Sequence, residues 1–298
     1  MKNSLKFLPC FDKVDNISEI HSGLSQRCFK IIADNKCYFA KTISNNTEVL
    51  VNLCANDCNL SPTVIYHDDN WLISQFIDGS HLGLSTLSIH KKIEYTIQLM
   101  VQCHQLPDKP PELSVKNVIN DLVNKPYYST QQINILIQLS ELITLPLQHI
   151  KKGVCCHGDL NFTNVLIDQK HKTWLVDYEC ACTAPIEFDI AMCISVNNLN
   201  SNELTTLIEQ YESQSALIVN PKQLNHYLLF CYLLNTLWYF NTYKETEHIE
   251  NKSILLKNAK QQCLALQSSL TAEGSSLLSS LSIKLTDILT TFNLNEQT

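Results

Sequence analysis

The sequence predicts an α+β fold with a small β-rich N-terminal lobe, residues 1–77, and a larger, mainly helical C-terminal lobe, residues 78–298. Two patterns predict this division. In the first part apolar residues alternate with polar ones, the period of strands, whereas after Gly79 they recur at the three- or four-residue spacing of helices. The chain is 45% hydrophobic and 17% charged, which is typical of a folded protein rather than a disordered one.

The N-terminal lobe is predicted to combine short strands with one helix. The segments "CFKIIA" and "CYFAKTI" alternate and are joined by Asp-Asn, a favourable hairpin turn. The segment "NTEVLVNLCAN" has helical spacing, with Asn46 or Thr47 as its N-cap. The predicted strands are residues 28–33, 37–43, 63–67 and 71–76, and the predicted helix is residues 46–56.

The C-terminal lobe is predicted to be helical around one central hairpin. Apolar residues at helical intervals predict one helix that Pro107 stops and another that ends near Pro146. The turn "QKHK" between "NVLID" and "TWLVDYE" predicts the hairpin. The later helical regions are Leu199–Ser213, Pro221–Glu245 and Lys252–Phe292.

The overall charge and the apolar runs argue against several classes of partner. The net charge is −7 and no block of Lys and Arg occurs, so we expect no nucleic-acid partner. We expect no signal peptide, because the N-terminus "MKNSLKFLPCFDKVDN" has no sufficiently long apolar stretch, and no membrane partner, because no uncharged apolar run reaches 18 residues. The 13 cysteines include no CxxC pair and lie mostly in apolar segments, which favours buried thiols in a reducing cytoplasm over a zinc site.

The stretch "CCHGDLNFTNVLID", residues 155–168, carries the chemistry. Asp159 and Asn164 lie five residues apart on a loop before the first hairpin strand, and Asp177 ends the second strand. Because a hairpin brings its strand ends together, Asn164 and Asp177 can face one another. Carboxylate and amide oxygens without a Cys/His set suit Mg²⁺. Asp159 is then placed to accept a proton from a hydroxyl, which together predicts phosphoryl transfer.

A lysine for the phosphates is available in the N-terminal lobe. Lys41 is a charge within the apolar strand "YFAKTI", and Glu48, early in the following helix, can pair with it. Simpler interpretations stay open for each residue. Lys41 can extend along a sheet edge, Glu48 can be an ordinary first-turn carboxylate, and Asp159 can be a turn former.

At this point the chain resembles a known superfamily. "HGDLNFTNVLI", "WLVDYE" and "EFDIA" resemble the signature of the choline kinase and aminoglycoside phosphotransferase superfamily, H-x-D-x-x-x-x-N followed by I-D-x-E. "SGLSQRCFKI" resembles the first loop of that family, G-L-[ST]-N, and "YFAKTI" its lysine strand. "ISQFIDG" resembles the hinge and "QCHQL" the helix end L-H-x-L, so the pieces span residues 21–193 in the family's order.

The resemblance implies a bilobal protein-kinase-like fold that uses ATP and Mg²⁺. It assigns Asp159 as catalytic base, Asn164 and Asp177 as magnesium ligands, and Lys41, paired with Glu48, as phosphate clamp. It further implies a supporting role for His157, a brace at Asp189, adenine binding by the backbone of hinge residues Gln75 and Ile77, and nucleotide contacts at Gly23 and Ser25.

The chain also departs from the family pattern. Gln26 replaces the usual Asn of the first loop, and that loop has a single Gly. Cys180 and Cys182 stand where the family often has Tyr and Gly, which puts the local turn in question but leaves the metal ligands intact.

The acceptor is predicted to be a small amine-containing alcohol, choline, ethanolamine or thiamine among them. Trp238 and Tyr239 with an acidic residue such as Glu179 suit a cation through cation–π attraction, although the rings can equally be helix core. The alternatives are an aminoglycoside phosphotransferase and a kinase-like nucleotide-binding protein without turnover. A protein kinase is disfavoured because the chain has no H-R-D loop and no A-P-E segment.

Overall fold

A computed structural model describes residues 2–20, 27–147, 153–272 and 276–294. Contacts between residues divide the chain into two compact units. The first unit comprises residues 1–112, 153–189 and 200–218; the second comprises residues 113–152, 190–199 and 219–298. These two units do not correspond to the two predicted lobes, residues 1–77 and 78–298, and the lobe boundary at residue 77 stays a prediction.

The described residues form strands and α-helices as follows. The strands are β1 (Val14–Ile20), β2 (Cys28–Ala33), β3 (Lys36–Thr42), β4 (Val64–His67), β5 (Trp71–Gln75), β6 (Gly79–His81), β7 (Val154–Cys156), β8 (Val165–Asp168), β9 (Thr173–Leu175) and β10 (Cys182–Ala184). The helices are α1 (Asn46–Asp57), α2 (Ile89–His104), α3 (Val115–Val123), α4 (Thr130–Thr144), α5 (Ile186–Val196), α6 (Ser201–Ser215), α7 (Pro221–Glu245), α8 (Ile249–Ala272) and α9 (Ser276–Leu294).

The first unit is built on an antiparallel sheet with strand order β1-β2-β3-β5-β4. One face of this sheet covers an apolar core, to which β3 contributes Tyr38 and Ala40. Because side chains alternate along a strand, Lys41 projects from the opposite face, and it pairs in register with Cys28 and Leu72. The core residues are Leu5, Leu8, Phe11, Ile17, Phe29, Ile31, Ala33, Tyr38, Ala40, Trp71 and Ile73.

Two smaller sheets in the same unit hold the central stretch. The hairpin of β8 and β9 pairs with β6, and β7 pairs with β10. Gly79 lies where β6 pairs with β8. A Cβ there would lie 2.2 Å from the carbonyl oxygen of Ile167, so only glycine lets the two strands approach this closely.

The second unit is helical, and α7 packs along α8. Several of its buried polar side chains are hydrogen-bonded between elements, although Gln262 Oε1 accepts no hydrogen bond from a described residue. The Nδ2 of Asn235 donates to Ser195 Oγ at 3.0 Å, and the Nε2 of Gln262 donates to the Ser195 carbonyl oxygen at 2.8 Å. Tyr128 donates to Asn241 Oδ1 at 2.7 Å. Buried hydrogen bonds of this kind fix how the elements pack against one another.

The predicted α+β class, with an N-terminal antiparallel sheet and a larger helical part, is confirmed. Several details differ. The N-cap of α1 is Asn45, not Asn46 or Thr47, and the predicted helical region at the C-terminus is two helices, α8 and α9. The short elements β6 and α3 were not predicted, because three to nine residues carry too little periodicity. Within the described ranges, every helix is too short or too polar to cross a bilayer.

Candidate active site

Lys41 lies buried at the centre of a carboxylate cluster, with 6% of its surface exposed. Its Nζ lies 2.6 Å from Glu48 Oε1, contacts Asp177 Oδ1 and lies 4.0 Å from Glu179 Oε2. Burial by itself lowers the pKa of Lys41, but the charges of Asp177 and Glu48 outweigh burial and raise it above its ordinary value. The side chain is therefore a fixed positive charge throughout the neutral pH range.

Glu48 is held at the first turn of α1 by more than the lysine. Its carboxylate accepts a hydrogen bond from Ser44 Oγ at 3.2 Å, and its backbone N–H donates to the N-cap, Asn45 Oδ1, at 2.8 Å. A carboxylate at a helix N-terminus also interacts favourably with the helix dipole. Glu48 is only 1% exposed, and these contacts give both of its carboxylate oxygens a partner. A buried charge needs such partners because it has lost its hydration.

The loop after β7 turns sharply at Gly158, whose φ is +80°. A Cβ at this position would lie 2.1 Å from the carbonyl oxygen of Cys180. Both the left-handed backbone and the close approach therefore require glycine. This turn fixes the direction in which Asp159 leaves the strand.

Asp189 braces the same loop from the first turn of α5. Its fully buried carboxylate accepts hydrogen bonds from the backbone N–H groups of His157 and Gly158, both at 2.8 Å. His104 Nε2 lies 3.0 Å from the same carboxylate, and His104 Nδ1 lies 2.7 Å from the hydroxyl of Tyr211. The predicted brace at Asp189 is thus present, and α2 and α6 extend it.

His157 supports the loop through both ring nitrogens. Nε2 donates to the carbonyl oxygen of Val176 at 2.9 Å, and Nδ1 accepts the backbone N–H of Asp159 at 3.2 Å. Because a carbonyl oxygen can only accept, Nε2 carries a proton. The ring is fully buried and contacts Tyr178 at a centroid distance of 4.9 Å.

Asp159 and Asn164 contact each other directly. Asn164 Nδ2 donates to Asp159 Oδ2 and to the Asp159 carbonyl oxygen, both at 2.9 Å. Burial raises the pKa of Asp159; Asp177 adds to the effect, while His157 and the hydrogen bond from Asn164 oppose it. Asp159 is therefore a stronger base than an exposed aspartate.

Asp177 begins the turn Tyr178–Cys180 with a left-handed backbone, φ 73°. The hairpin places it beside Asn164, because the N–H of Val176 donates to the Asn164 carbonyl oxygen at 3.0 Å. A non-glycine residue in this conformation is uncommon and marks a locally enforced geometry. The strand ends meet as the sequence indicates.

The donor set at the strand ends fits a hard divalent cation. Within the described part of the chain, Asn164 Oδ1 and Asp177 Oδ2 accept no hydrogen bond. One amide and one carboxylate oxygen are thus available, and Mg²⁺ prefers oxygen ligands of these kinds.

The hinge residues follow the sheet at the end of β5. The N–H of Gln75 donates to the carbonyl oxygen of Thr63 at 2.8 Å, and Gln75 pairs with Tyr38. The backbone N–H and C=O of Ile77 form no hydrogen bond with another described residue. Gly23 and Ser25 lie outside the described residues.

The predicted acceptor residues lie in both units. Glu179 is in the first unit, and its carbonyl oxygen accepts a hydrogen bond from Asn45 Nδ2 at 3.2 Å. Trp238 and Tyr239 lie on α7 in the second unit, with ring centroids 5.2 Å apart, and Trp238 is 36% exposed. Their role in acceptor binding stays a prediction.

Three residues of the site were not found from the sequence. Asn45 carried a signal, since "NNTE" matches the N-cap spacing of a polar residue followed three positions later by Glu. His104 lies at the helix end "QCHQL" and bonds to Asp189, whereas Tyr211 carried no signal. Its contact depends on the packing of α2 against α6, which no local pattern encodes.

The fold and this arrangement resemble those of kinase-like small-molecule phosphotransferases. A family model described as "Phosphotransferase enzyme family" matches residues 121–222, which include Asp159, Asn164 and Asp177. A comparison with curated protein sequences found no match.

Solved structures from two branches of this class are similar to the chain. Choline kinase LicA from Streptococcus pneumoniae superimposes with a TM-score of 0.69 at 17% identity, covering 90% of this chain and 97% of that one. A choline/ethanolamine kinase family protein from Mesorhizobium loti gives a TM-score of 0.66 at 16% identity, covering 95% and 96%. Spectinomycin phosphotransferase APH(9)-Ia, in complex with ADP and spectinomycin, gives 0.61 at 14%, covering 87% and 92%.

The resemblance to the choline kinase and aminoglycoside phosphotransferase superfamily is therefore confirmed, together with the kinase-like fold. The family match also supports the prediction of a phosphotransferase enzyme. Both acceptor branches lie at similarly low identity, so the comparisons do not separate them.

Proposed function

We propose that the protein is an ATP-dependent phosphotransferase that phosphorylates the hydroxyl group of a small amine-containing alcohol, such as a choline-, ethanolamine- or thiamine-like compound. One observation carries the proposal. Asp159, Asn164, Asp177 and Lys41 lie together in the first unit, linked by the Asp159–Asn164 hydrogen bond, the hairpin ends and the Lys41–Asp177 ion pair. This is the set of charges that phosphoryl transfer needs.

Lys41 and the hinge bind the nucleotide in this proposal. The ammonium group of Lys41 binds the phosphates, and Glu48 holds it in place through the 2.6 Å ion pair. The backbone N–H and C=O of Ile77, which have no described partner, meet the adenine, with Gln75 fixing the strand before them. Gly23 and Ser25 are proposed to cover the phosphates on the resemblance alone.

Magnesium is proposed to bind Asn164 and Asp177 through the oxygens that accept no described hydrogen bond. When bound, Mg²⁺ neutralises charge on the transferring phosphate. The chain orients both ligands itself, through the donation from Asn164 Nδ2 to Asp159 and through the left-handed backbone at Asp177.

Asp159 is the proposed base. Its Oδ2 is held by Asn164, whereas its Oδ1 has no partner in the described part of the chain. As the acceptor oxygen forms its bond to the γ-phosphorus, the bond from that phosphorus to the bridging oxygen breaks and its electron pair leaves with ADP. The hydroxyl proton passes to Asp159, whose raised pKa favours this transfer.

The charge of the site supports a cationic acceptor. Asp177 and Glu179 lie beside Lys41, and the charge of Asp177 also acts on Asp159, so a positively charged amine is attracted to these carboxylates. All thirteen cysteines are free thiols, which fits the cytoplasm as the compartment of the reaction.

Turnover with a panel of acceptors tests the proposal. Purified protein is mixed with Mg-ATP and choline, ethanolamine, thiamine, sugars or aminoglycosides, and ADP release is followed with a coupled assay. We expect turnover with an amino alcohol or thiamine and its loss in Asp159→Asn. Preference for an aminoglycoside would move the protein to the antibiotic-kinase branch. A thermal shift with Mg-ATP but no turnover with any acceptor would leave a nucleotide-binding protein and overturn the proposal.

A further inference from the structure

Asn45 connects two parts of the site that are far apart in sequence. It is the N-cap of α1, where its Oδ1 accepts the N–H of Glu48 at 2.8 Å. Its Nδ2 donates to the carbonyl oxygen of Glu179 at 3.2 Å, across 134 residues of sequence. One side chain therefore touches both the helix that carries Glu48 and the turn that follows Asp177.

Further contacts connect Asn45 to the charged residues Glu48, Lys41 and Asp177. Its Nδ2 also donates to Ser44 Oγ at 3.2 Å, and Ser44 Oγ donates to Glu48 Oε2 at 3.2 Å. Glu48 holds Lys41, which in turn contacts Asp177. The amide thus closes a ring that runs from Asn45 through Glu48, Lys41 and Asp177 to Glu179 and back.

We infer that Asn45 is a positioning residue that fixes the turn Tyr178–Cys180 against α1, and so sets the separation between Lys41 and Asp177 for Mg-ATP. The inference rests on the proposed function. Asn45 is exposed, and no core packing explains its second contact. A helix cap alone needs only the side-chain oxygen, whereas the bond to Glu179 needs the amide nitrogen.

A single substitution can therefore remove the bond to Glu179 and keep the helix cap. Asn45→Asp keeps an oxygen for the N-cap, because Asp and Asn cap helices about equally well, but it has no N–H to donate to Glu179. The matched control is Asn200→Asp. Asn200 is also an exposed N-cap with Glu three residues later, at the start of α6, and its side-chain oxygen accepts the N–H groups of Asn202 and Glu203.

Two measurements on the full chain test the inference. The first is the dissociation constant for Mg-ATP, for which we expect about a fivefold weakening in Asn45→Asp, the equivalent of one hydrogen bond, and no change in Asn200→Asp. The second is amide hydrogen exchange over residues 177–181 without nucleotide, which we expect to be faster only in Asn45→Asp. Thermal unfolding of both variants should match the wild type.

The outcomes separate this inference from the proposed function. If the wild type does not bind Mg-ATP, the proposed function fails, and exchange at residues 177–181 alone decides the positioning role. If exchange in Asn45→Asp equals that of the wild type, Asn45 is only a helix cap and the inference is overturned. Faster exchange with unchanged Mg-ATP affinity in a binding-competent wild type would also overturn it.

Discussion

Lys41 Nζ lies 2.6 Å from Glu48 Oε1, and both side chains are almost completely buried, one on β3 and the other on α1. Removing one partner of a buried ion pair leaves a charge without compensation. Here Lys41 has a second carboxylate, Asp177, so Glu48 and Lys41 are not equivalent. Without Glu48, Lys41 stays charged but loses the carboxylate that fixes its position. Without Lys41, the carboxylates of Glu48 and Asp177 have no cation between them.

The first prediction concerns Lys41→Met. We expect kcat/KM for Mg-ATP to fall about 100-fold or more, because one fixed charge on the phosphates is lost. Glu48→Gln should cause a smaller fall, since Asp177 still pairs with Lys41. Steady-state kinetics with the best acceptor measures both, and Lys13→Met, at an exposed ion pair with Asp15, is the control. An unchanged kcat/KM in Lys41→Met would contradict the assignment.

The second prediction is that Asp159→Asn separates activity from stability. Turnover should fall by about 10²- to 10⁴-fold through loss of the base. The asparagine oxygen can still accept the hydrogen bond from Asn164, so the fold should persist. Asp159→Glu, which retains a carboxylate, should recover part of the activity, and equal losses in both variants would count against a role as base.

The same variant has a predicted pH signature in metal-free protein. Burial raises the pKa of Asp159 above its ordinary value, so the charged form costs stability in the folded state. That cost is absent below the unfolded pKa, about 3.9, and grows as pH rises through the folded pKa. Asp159→Asn should therefore melt at or above the wild-type temperature at pH 7 with EDTA, and the difference should vanish near pH 4.

The third prediction concerns the brace at Asp189. Asp189→Asn turns one acceptor oxygen into a donor that faces the N–H group of either His157 or Gly158, so we expect a loss of about 3 kcal/mol in the free energy of unfolding. His104→Ala should cost less, about 1–3 kcal/mol, because Asp189 keeps both backbone donors. Urea unfolding measures both. A cost of His104→Ala equal to that of Asp189→Asn would contradict this ranking.

The fourth prediction is that Gly158 tolerates no side chain. Gly158→Ala adds a Cβ 2.1 Å from the Cys180 carbonyl oxygen at a residue with φ +80°, and we expect a loss of about 1–3 kcal/mol or more. Gly83→Ala is the control, because the nearest atom to its Cβ would be the methyl carbon of Thr163, at 3.1 Å, and the nearest backbone atom would lie 3.4 Å away. If the two variants unfold at the same urea concentration, the close approach at Gly158 is not required.

Much of the fold was predictable because its elements carry local patterns. The strands at residues 28–33 and 71–76 and the helix Pro221–Glu245 agree with the structure to within a residue, since each has strong periodicity or a clear cap. Asn45 shows the limit. The spacing to Glu48 is local and visible, whereas the bond to Glu179 joins residues 134 positions apart.

The fold class and the candidate reactive groups follow from local sequence patterns: Lys41 in an apolar strand, and Asp159, Asn164 and Asp177 around a hairpin. These depend on the order of residues, on side-chain period and on turn chemistry, all of which act over a few positions. Only the tertiary structure decided that Asp189, His104 and Tyr211 form one buried chain under the loop and that Asn45 reaches the turn after Asp177. Hydrogen bonds between distant segments depend on how packed elements meet, and that geometry is a property of the whole core rather than of any short stretch.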